Sequence, residues 1–262
     1  MKSQEVYSKE SHMKKIIVVM PAYNEAEGIV DFISEMNDAF VQIGMAILFH
    51  VQNDMSTDLT LSKLSELSLK TSINLTVQTN ECNMGHGPTS RAALSFAADT
   101  NADYVLHLDG DGQFTVTDIL QVIQQGLVSE VPTVGKRITR SDPYYRKILT
   151  KSLRVWVSVI ARTFAIEDAN SPLRFQSVNS LRETLVRIPV DALIPSIWWS
   201  VITGRQVIQY VPVTSIDRRG DSAQGTMWGG ANRLRGLVPP RRLISFSYNS
   251  FIESLKIAKN IT

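Results

Sequence analysis

Short β-branched runs alternate with helically spaced segments along the first 135 residues, and this alternation constrains the chain most. Residues 15–20 are mainly apolar and stop at Pro21, which predicts a buried strand. Ile29, Phe32, Ile33, Met36 and Phe40 then recur at helical spacing within residues 25–41. Strands are expected again at 45–52, 74–79, 104–108 and 132–135. Helices are expected at 56–67, capped by Ser56 or Thr57, and at 87–98 and 115–125. Alternating strands and helices with short links predict an α/β fold with a mostly parallel central sheet flanked by helices. In such sheets ligands bind beyond the carboxyl ends of the strands. Asn24, Asp54 and Asp109 follow the first, second and fourth strands, so all three are expected at one edge.

The pattern changes after residue 136. Residues 144–163 read as a basic amphipathic helix carrying Arg146, Lys147, Lys151, Arg154 and Arg162. One more strand is expected at 206–213. Residues 220–236 are rich in Gly and polar side chains and are expected to be mobile. Residues 241–261 mix apolar and basic side chains, as an amphipathic helix does. Whether that helix packs on its own domain or meets a membrane stays open. The expected organisation is a polar tail at 1–13, a main domain at 14–215 and a mobile loop with an amphipathic segment at 216–262.

The net charge of +2 conceals a split. Residues 1–135 carry 7 Lys/Arg against 17 Asp/Glu, and residues 136–262 carry 20 against 8. A basic second half suits an anionic partner, a phosphate or a lipid surface. The basic residues are scattered and no nucleic-acid-binding motif frames them, so nucleic acid is not expected. The one cysteine, Cys82, leaves no internal disulfide framework. No run approaches the roughly 20 apolar residues of a membrane span. A cytoplasmic protein is expected, with peripheral contact to the cytoplasmic face of a membrane left open.

Asp109-Gly110-Asp111-Gly112-Gln113 carries the chemistry. Two carboxylates two residues apart, just past a buried strand, repel unless a cation offsets them. Lys and Arg are absent nearby, and hard oxygen ligands suit Mg²⁺ or Mn²⁺. Asp109, Asp111 and Gln113 are the candidate metal ligands, and Gly110 and Gly112 let the backbone turn closely around a ligand. An Asp-x-Asp turn alone is a weak signal, because turns favour Asp and Gly.

Its company strengthens it. Val18-Val19-Met20-Pro21-Ala22-Tyr23-Asn24-Glu25 resembles the opening strand and loop of family 2 glycosyltransferases with the GT-A fold. Asn53-Asp54-Met55-Ser56-Thr57-Asp58 is similar to their Asp-Asp-Gly-Ser-x-Asp motif, and Asn83-Met84-Gly85-His86-Gly87 to their Asn-x-Gly-Lys-Gly. The acidic run with its Gln113 resembles the metal motif of the dolichol- and polyprenyl-phosphate sugar transferase branch. The resemblance implies a metal-dependent, inverting transfer from a UDP- or GDP-linked sugar. It implies that Pro21, Ala22, Tyr23, Glu25 and Asp54 border the base and ribose, with Asn83, Gly85 and Arg91 near the nucleotide. Asp109 and Gly110 would lie at the ribose or sugar, and Asp111 and Gln113 at the metal. Downstream, Gly135-Lys136-Arg137, Arg146 with Thr150, the 168–174 segment, and Arg218, Arg219, Gly220 and Ser222 resemble later segments of that branch near the acceptor and the site mouth. The chain departs from the pattern at Asn53 for an acid, Met55 for Gly, His86 for Lys, Pro172-Leu173 for Gly-Phe and Ala223 for Lys.

The acceptor divides the mechanism. A phosphate oxygen is already ionised and needs only cations to position it, which Arg137, Arg146, Arg218 and Arg219 could supply. A sugar hydroxyl, as in polysaccharide synthesis, needs a general base, and Asp168 is the best placed in the sequence. Nucleotidyl transfer would require a Gly-rich basic loop after the first strand, and that loop is acidic here. A non-catalytic nucleotide-sugar binding module is the alternative of another class. His50 and His107 fall on expected strands and read as structural, and Trp198-Trp199 reads first as packing.

Overall fold

The computed structural model describes residues 14–70, 72–139, 144–163, 165–219 and 241–261. Their elements run β1 (Ile16–Ala22), α1 (Ile29–Gln42), β2 (Ile47–Asn53), α2 (Thr60–Lys70), β3 (Leu75–Thr79), α3 (His86–Ala98), β4 (Tyr104–His107), α4 (Val116–Ser129) and β5 (Thr133–Thr139). Then follow α5 (Tyr144–Ala161), β6 (Arg174–Ser177), α6 (Val178–Leu185), α7 (Pro195–Thr203), β7 (Gln209–Thr214) and α8 (Arg241–Ile261). The seven strands form one sheet in the order β3-β2-β1-β4-β6-β5-β7. All pairs are parallel except the two made by β6, which runs antiparallel to β4 and β5.

The period of two along β1 divides the core. Ile16, Val18 and Met20 face the cluster built with α1, α2 and α4, whereas Ile17 and Val19 face the one built with α3 and α6. A strand buried on both faces needs apolar residues at every position, and all seven of β1 are buried. A third cluster joins α5, α7 and α8 through Val157, Ile197, Trp198 and Ile257.

Three expectations change. First, α2 starts at Thr60, four residues after Ser56. Asp58 takes the capping role, accepting from Thr60 N at 2.9 Å and Thr60 Oγ1 at 2.5 Å. Ser56 and Thr57 instead tie down the loop after β1, where Ser56 Oγ accepts from Asn24 N (3.0 Å) and Thr57 N donates to Asn24 Oδ1 (2.9 Å). Second, β6 was not foreseen: its four residues include Arg174 and Gln176, whose polarity hides a strand period. Third, α6 and α7 were not foreseen either. Trp198 and Trp199 are core residues of α7, 2% and 4% exposed, in line with packing.

No helix of the described residues is long and apolar enough to cross a membrane. The expected tail at 1–13, the loop at 220–236 and Ser222 lie outside the described residues. His50 is buried, stacks on Phe96 at 3.7 Å, and burial lowers its pKa to about 4, which is a structural histidine.

Candidate active site

Three strand ends build the site. Beyond β1, Asn24 adopts φ 54°, and beyond β2, Met55 adopts φ 55°. Non-glycine residues enter this left-handed region at a cost of roughly 1–2 kcal/mol. For Asn24, the bonds to Ser56 and Thr57 offset that cost. Met55 gains no such bond among those described, so the family's Gly at this position has a physical reason. Beyond β4, Gly110 N donates to Pro21 O at 3.3 Å. A Cβ on Gly110 would lie 3.2 Å from Pro21 O and from Ile29 Cδ1, so the acidic turn sits tight against β1.

Asp54 is buried and its carboxylate organises the 80–85 loop. It accepts from Asn80 Nδ2, Met84 N and Gly85 N, each at 2.8 Å. Asn83 Nδ2 donates to Asp54 O at 3.1 Å. Gly85 has φ 84° at the head of α3, a conformation suited to glycine. Asn80 was missed in the sequence. It follows β3 as Asn24 and Asp54 follow β1 and β2, and the strand-end rule alone would have found it.

Glu25, Asp109 and Asp111 converge electrostatically. Asp111 is pushed up to about 7, first by burial, then by the charges of Asp109 and Glu25. Burial also raises Glu25, while Arg218 lowers it. Asp109 Oδ1 is buried without a hydrogen-bond partner among the described residues, and the His86 ring lies near it, with Nε2 at 3.6 Å. Gln113 N donates to Asp111 Oδ1 at 3.2 Å. A carboxylate oxygen without a hydrogen bond among the described residues, beside a carboxyl raised by burial and like charge, is a local excess of negative charge that a cation would relieve. Among the described residues no three His, Cys, Asp or Glu side chains form a complete ligand set. That composition fits an ion whose coordination is completed by other oxygens.

A strap from β7 lies across this turn. Ser215 bridges Phe114, Ile216 N donates to Gln113 O at 3.0 Å, and Arg219 N donates to Asp111 O at 3.0 Å. Arg218 pairs with Glu25 through two hydrogen bonds. Arg219 runs the other way, to Glu35 at 2.6 Å and over the Phe32 ring at 4.9 Å. It also fills the space where a side chain on Gly112 (φ 68°) would sit.

Other sequence candidates fall elsewhere. Arg91 donates to Ile188 O (3.2 Å) and Leu185 O (3.3 Å), at the end of α6. Arg137 and Asp168 join each other in a bidentate pair, Nε–Oδ2 2.8 Å and Nη2–Oδ1 2.8 Å. Thus a candidate acceptor cation and the candidate base occupy one ion pair. Lys136 pairs with Glu167 beside it. Arg146 lies on α5 with its side chain outside the described set, and Thr150 is half-buried on the next turn. Tyr23 is half-buried beside buried Pro21 and Ala22.

His107 was read as structural, and its contacts say how. Ser90 Oγ lies 2.7 Å from Nε2 and Pro172 O 3.0 Å from Nδ1, so the ring joins α3, β4 and the 168–173 loop. Arg174, buried against Trp199 at 4.2 Å, holds the same loop through Ser171 O (2.8 Å) and Ala169 O (2.9 Å).

Residues 17–177 match the sequence profile of glycosyl transferase family 2. The chain belongs to that family. This family 2 glycosyltransferase is 26% identical over 145 residues to the dolichol-phosphate mannosyltransferase of Pyrococcus furiosus, covering 52% of the chain and 38% of that protein. It is 31% identical over 150 residues to glycosyltransferase AglJ of Haloferax volcanii, covering 57% of the chain and 44% of that protein. The match thus spans less than half the length of these relatives. Among solved structures, glucosyl-3-phosphoglycerate synthase of Mycobacterium tuberculosis, in complex with Mn²⁺, UDP-glucose and phosphoglyceric acid, superposes with a TM-score of 0.64 at 17% identity. That superposition covers 94% of this chain and 80% of the synthase. The likeness is one of fold, and the fold is the GT-A type expected from the motifs.

Proposed function

We propose that this glycosyltransferase moves a hexosyl group from a UDP- or GDP-linked sugar to a phosphorylated acceptor, a polyprenyl phosphate or lipid-linked glycan, with Mg²⁺ or Mn²⁺ at Asp109 and Asp111. The observation that carries the reading is the carboxylate cluster. Asp109 Oδ1 is buried and takes no hydrogen bond among the described residues, and Asp111 is raised to about 7 by burial, Asp109 and Glu25. Gln113 would add a neutral oxygen. The ion, when bound, supplies positive charge where the diphosphate leaving group gains negative charge.

The chain's own residues do the rest. The loop that Asp54 organises at 83–85 and the buried Pro21-Ala22 edge bracket the nucleotide, with Tyr23 beside the base or ribose. Gly110 lets the sugar end approach the backbone. Arg218, paired with Glu25 beside this cluster, would offer a guanidinium to a diphosphate oxygen. His86, 3.6 Å from Asp109, stands where it can meet a phosphate oxygen.

A phosphate acceptor is favoured over a sugar hydroxyl because both Asp168 oxygens are already engaged by Arg137. An ionised phosphate needs no base, and inversion by in-line attack follows from a single displacement. A phosphate acceptor also suits the comparisons: one relative is named for dolichol phosphate, and the fold neighbour was solved with phosphoglyceric acid. Residues 14–215 would form the transferase domain. The exposed Val155, Val159, Phe251 and Ile252 of α5 and α8, with Lys151, Arg154 and Lys256 exposed on the same helices, suit contact with an anionic membrane surface. Flotation with anionic vesicles checks that contact, and complete absence of binding rejects it.

The donor reading is tested by heat stability with a panel of UDP- and GDP-sugars, with and without Mn²⁺. One nucleotide is expected to stabilise the protein only with the metal, by about 2.7 kcal/mol at a hundred times its Kd. No stabilisation by any nucleotide sinks the proposal.

A further inference from the structure

The C-terminal helix α8 lies beyond the family match, yet it reaches the donor loop through one side chain. Glu253, Ser254 and Ile257 form its buried stripe. A carboxylate on the inward face of an amphipathic helix is costly unless it is hydrogen-bonded. Here both oxygens of Glu253 accept from Leu193 N, at 3.0 and 3.1 Å, and Oε1 also accepts from Trp198 Nε1 at 2.7 Å. Leu193 sits just ahead of α7, whose N-cap residue Ile194 makes no side-chain capping bond. Glu253 therefore holds a turn that no local cap holds.

The other side of that turn presses on α3. A Cβ on Gly87 would come within 2.5 Å of Ala192 O and closer still to Leu193 O, so glycine is required and the fit is tight. Gly87 follows Asn83-Met84-Gly85-His86 directly. In that run Met84 N and Gly85 N bind Asp54, and His86 reaches Asp109. The contacts run without a break from α8 through Glu253, the 192–193 backbone and Gly87 to the 83–86 loop.

We propose that Glu253 is a positioning residue for the donor loop, fixing the 192–193 backbone against Gly87 so that docking of α8 sets the affinity for the nucleoside diphosphate. The proposal rests on the donor reading above for its consequence, but not for the coupling itself. Such coupling is reciprocal: loosening α8 loosens the loop, and disturbing the loop contact loosens α8.

Hydrogen exchange of the full chain without nucleotide tests the coupling. Glu253→Leu removes the acceptor, and amides at 83–90 are expected to exchange about tenfold faster or more. Glu253→Gln keeps an acceptor oxygen and is expected to stay within about threefold of wild type. Should Glu253→Leu not fold, Gly87→Ala approaches from the other side, and faster exchange of the Leu193 amide and of α8 is expected. Unchanged exchange at 83–90 in folded Glu253→Leu, or at Leu193 and α8 in Gly87→Ala, overturns the proposal. Titration with UDP and GDP in Mn²⁺ then reads the consequence: Kd is expected to rise about tenfold in Glu253→Leu and to recover in Glu253→Gln. Wild-type protein that binds neither nucleotide overturns the donor reading alone. Equal affinity in wild type and a loosened Glu253→Leu overturns the positioning role alone.

Discussion

The acidic edge of β1 and β4 and the basic region that begins within β5 handle charge in opposite ways. At the edge, the charges of Glu25, Asp109 and Asp111 act on one another, with Asp109 Oδ1 taking no hydrogen bond among the described residues and Asp111 raised to about 7. In the second region several charges of the described residues are paired, Arg137 with Asp168 and Lys136 with Glu167, while Arg174 binds backbone carbonyls and lies on the Trp199 face. A net positive balance is therefore not the same as a free anion-binding surface. What distinguishes the acidic edge is like charges close together, which a proton, a guanidinium or a bound cation relieves.

Removing a charge should then have opposite effects in the two regions. Arg137→Ala removes the guanidinium from half-buried Asp168 and is expected to cost about 1–3 kcal/mol of stability in denaturant unfolding. The double variant with Asp168→Ala should recover part of that loss; no recovery would mean that the pair does not act as a unit. Asp111→Asn is expected to lower glycosyl transfer by about a hundredfold or more, because the interaction it removes serves the developing charge. Full turnover by Asp111→Asn takes Asp111 out of the site.

The same Asp111→Asn change is expected to stabilise the folded protein by about 1–2 kcal/mol at pH 8. The sign follows from linkage. A carboxyl whose folded pKa is raised holds its proton more tightly in the folded state, so ionising it opposes folding, and the penalty grows as pH rises towards and beyond about 7. The stabilisation by Asp111→Asn should therefore shrink as pH falls from 8 towards 4. A gain that stays constant across that range contradicts the raised pKa. The smallest effect is expected at Met55, where φ is 55°. Met55→Gly should stabilise by about 0.5–1 kcal/mol, since glycine enters that region freely. A loss of stability there would mean that the exposed Met55 side chain makes a contact of its own.

β1, β2 and β4 were legible because they are largely buried on both faces and therefore read as mainly apolar runs. Each strand end then placed Asn24, Asp54 and Asp109 at one edge. The reversal at β6 was not legible. Arg174 and Gln176 are buried there by pairing with Ser171 O and Trp199 Nε1, contacts that no local pattern announces. The partners of the arginines were hidden for a related reason. Arg218 meets Glu25 across 193 positions and Arg219 meets Glu35 across 184, so residue type marked them as cations while the fold decided what they face. Glu253 was hidden within a helix whose periodicity was read correctly, because its partners lie on α7 and the turn before it.

We propose that the Asp109–Asp111 turn takes a divalent cation together with a nucleoside diphosphate. Electron paramagnetic resonance of Mn²⁺ tests it without reference to turnover. Titrated into wild-type protein with the nucleotide that stabilises it, free Mn²⁺ signal is expected to be lost up to one ion per chain, and Asp111→Asn should abolish that uptake. Equal Mn²⁺ uptake by folded Asp111→Asn contradicts the account.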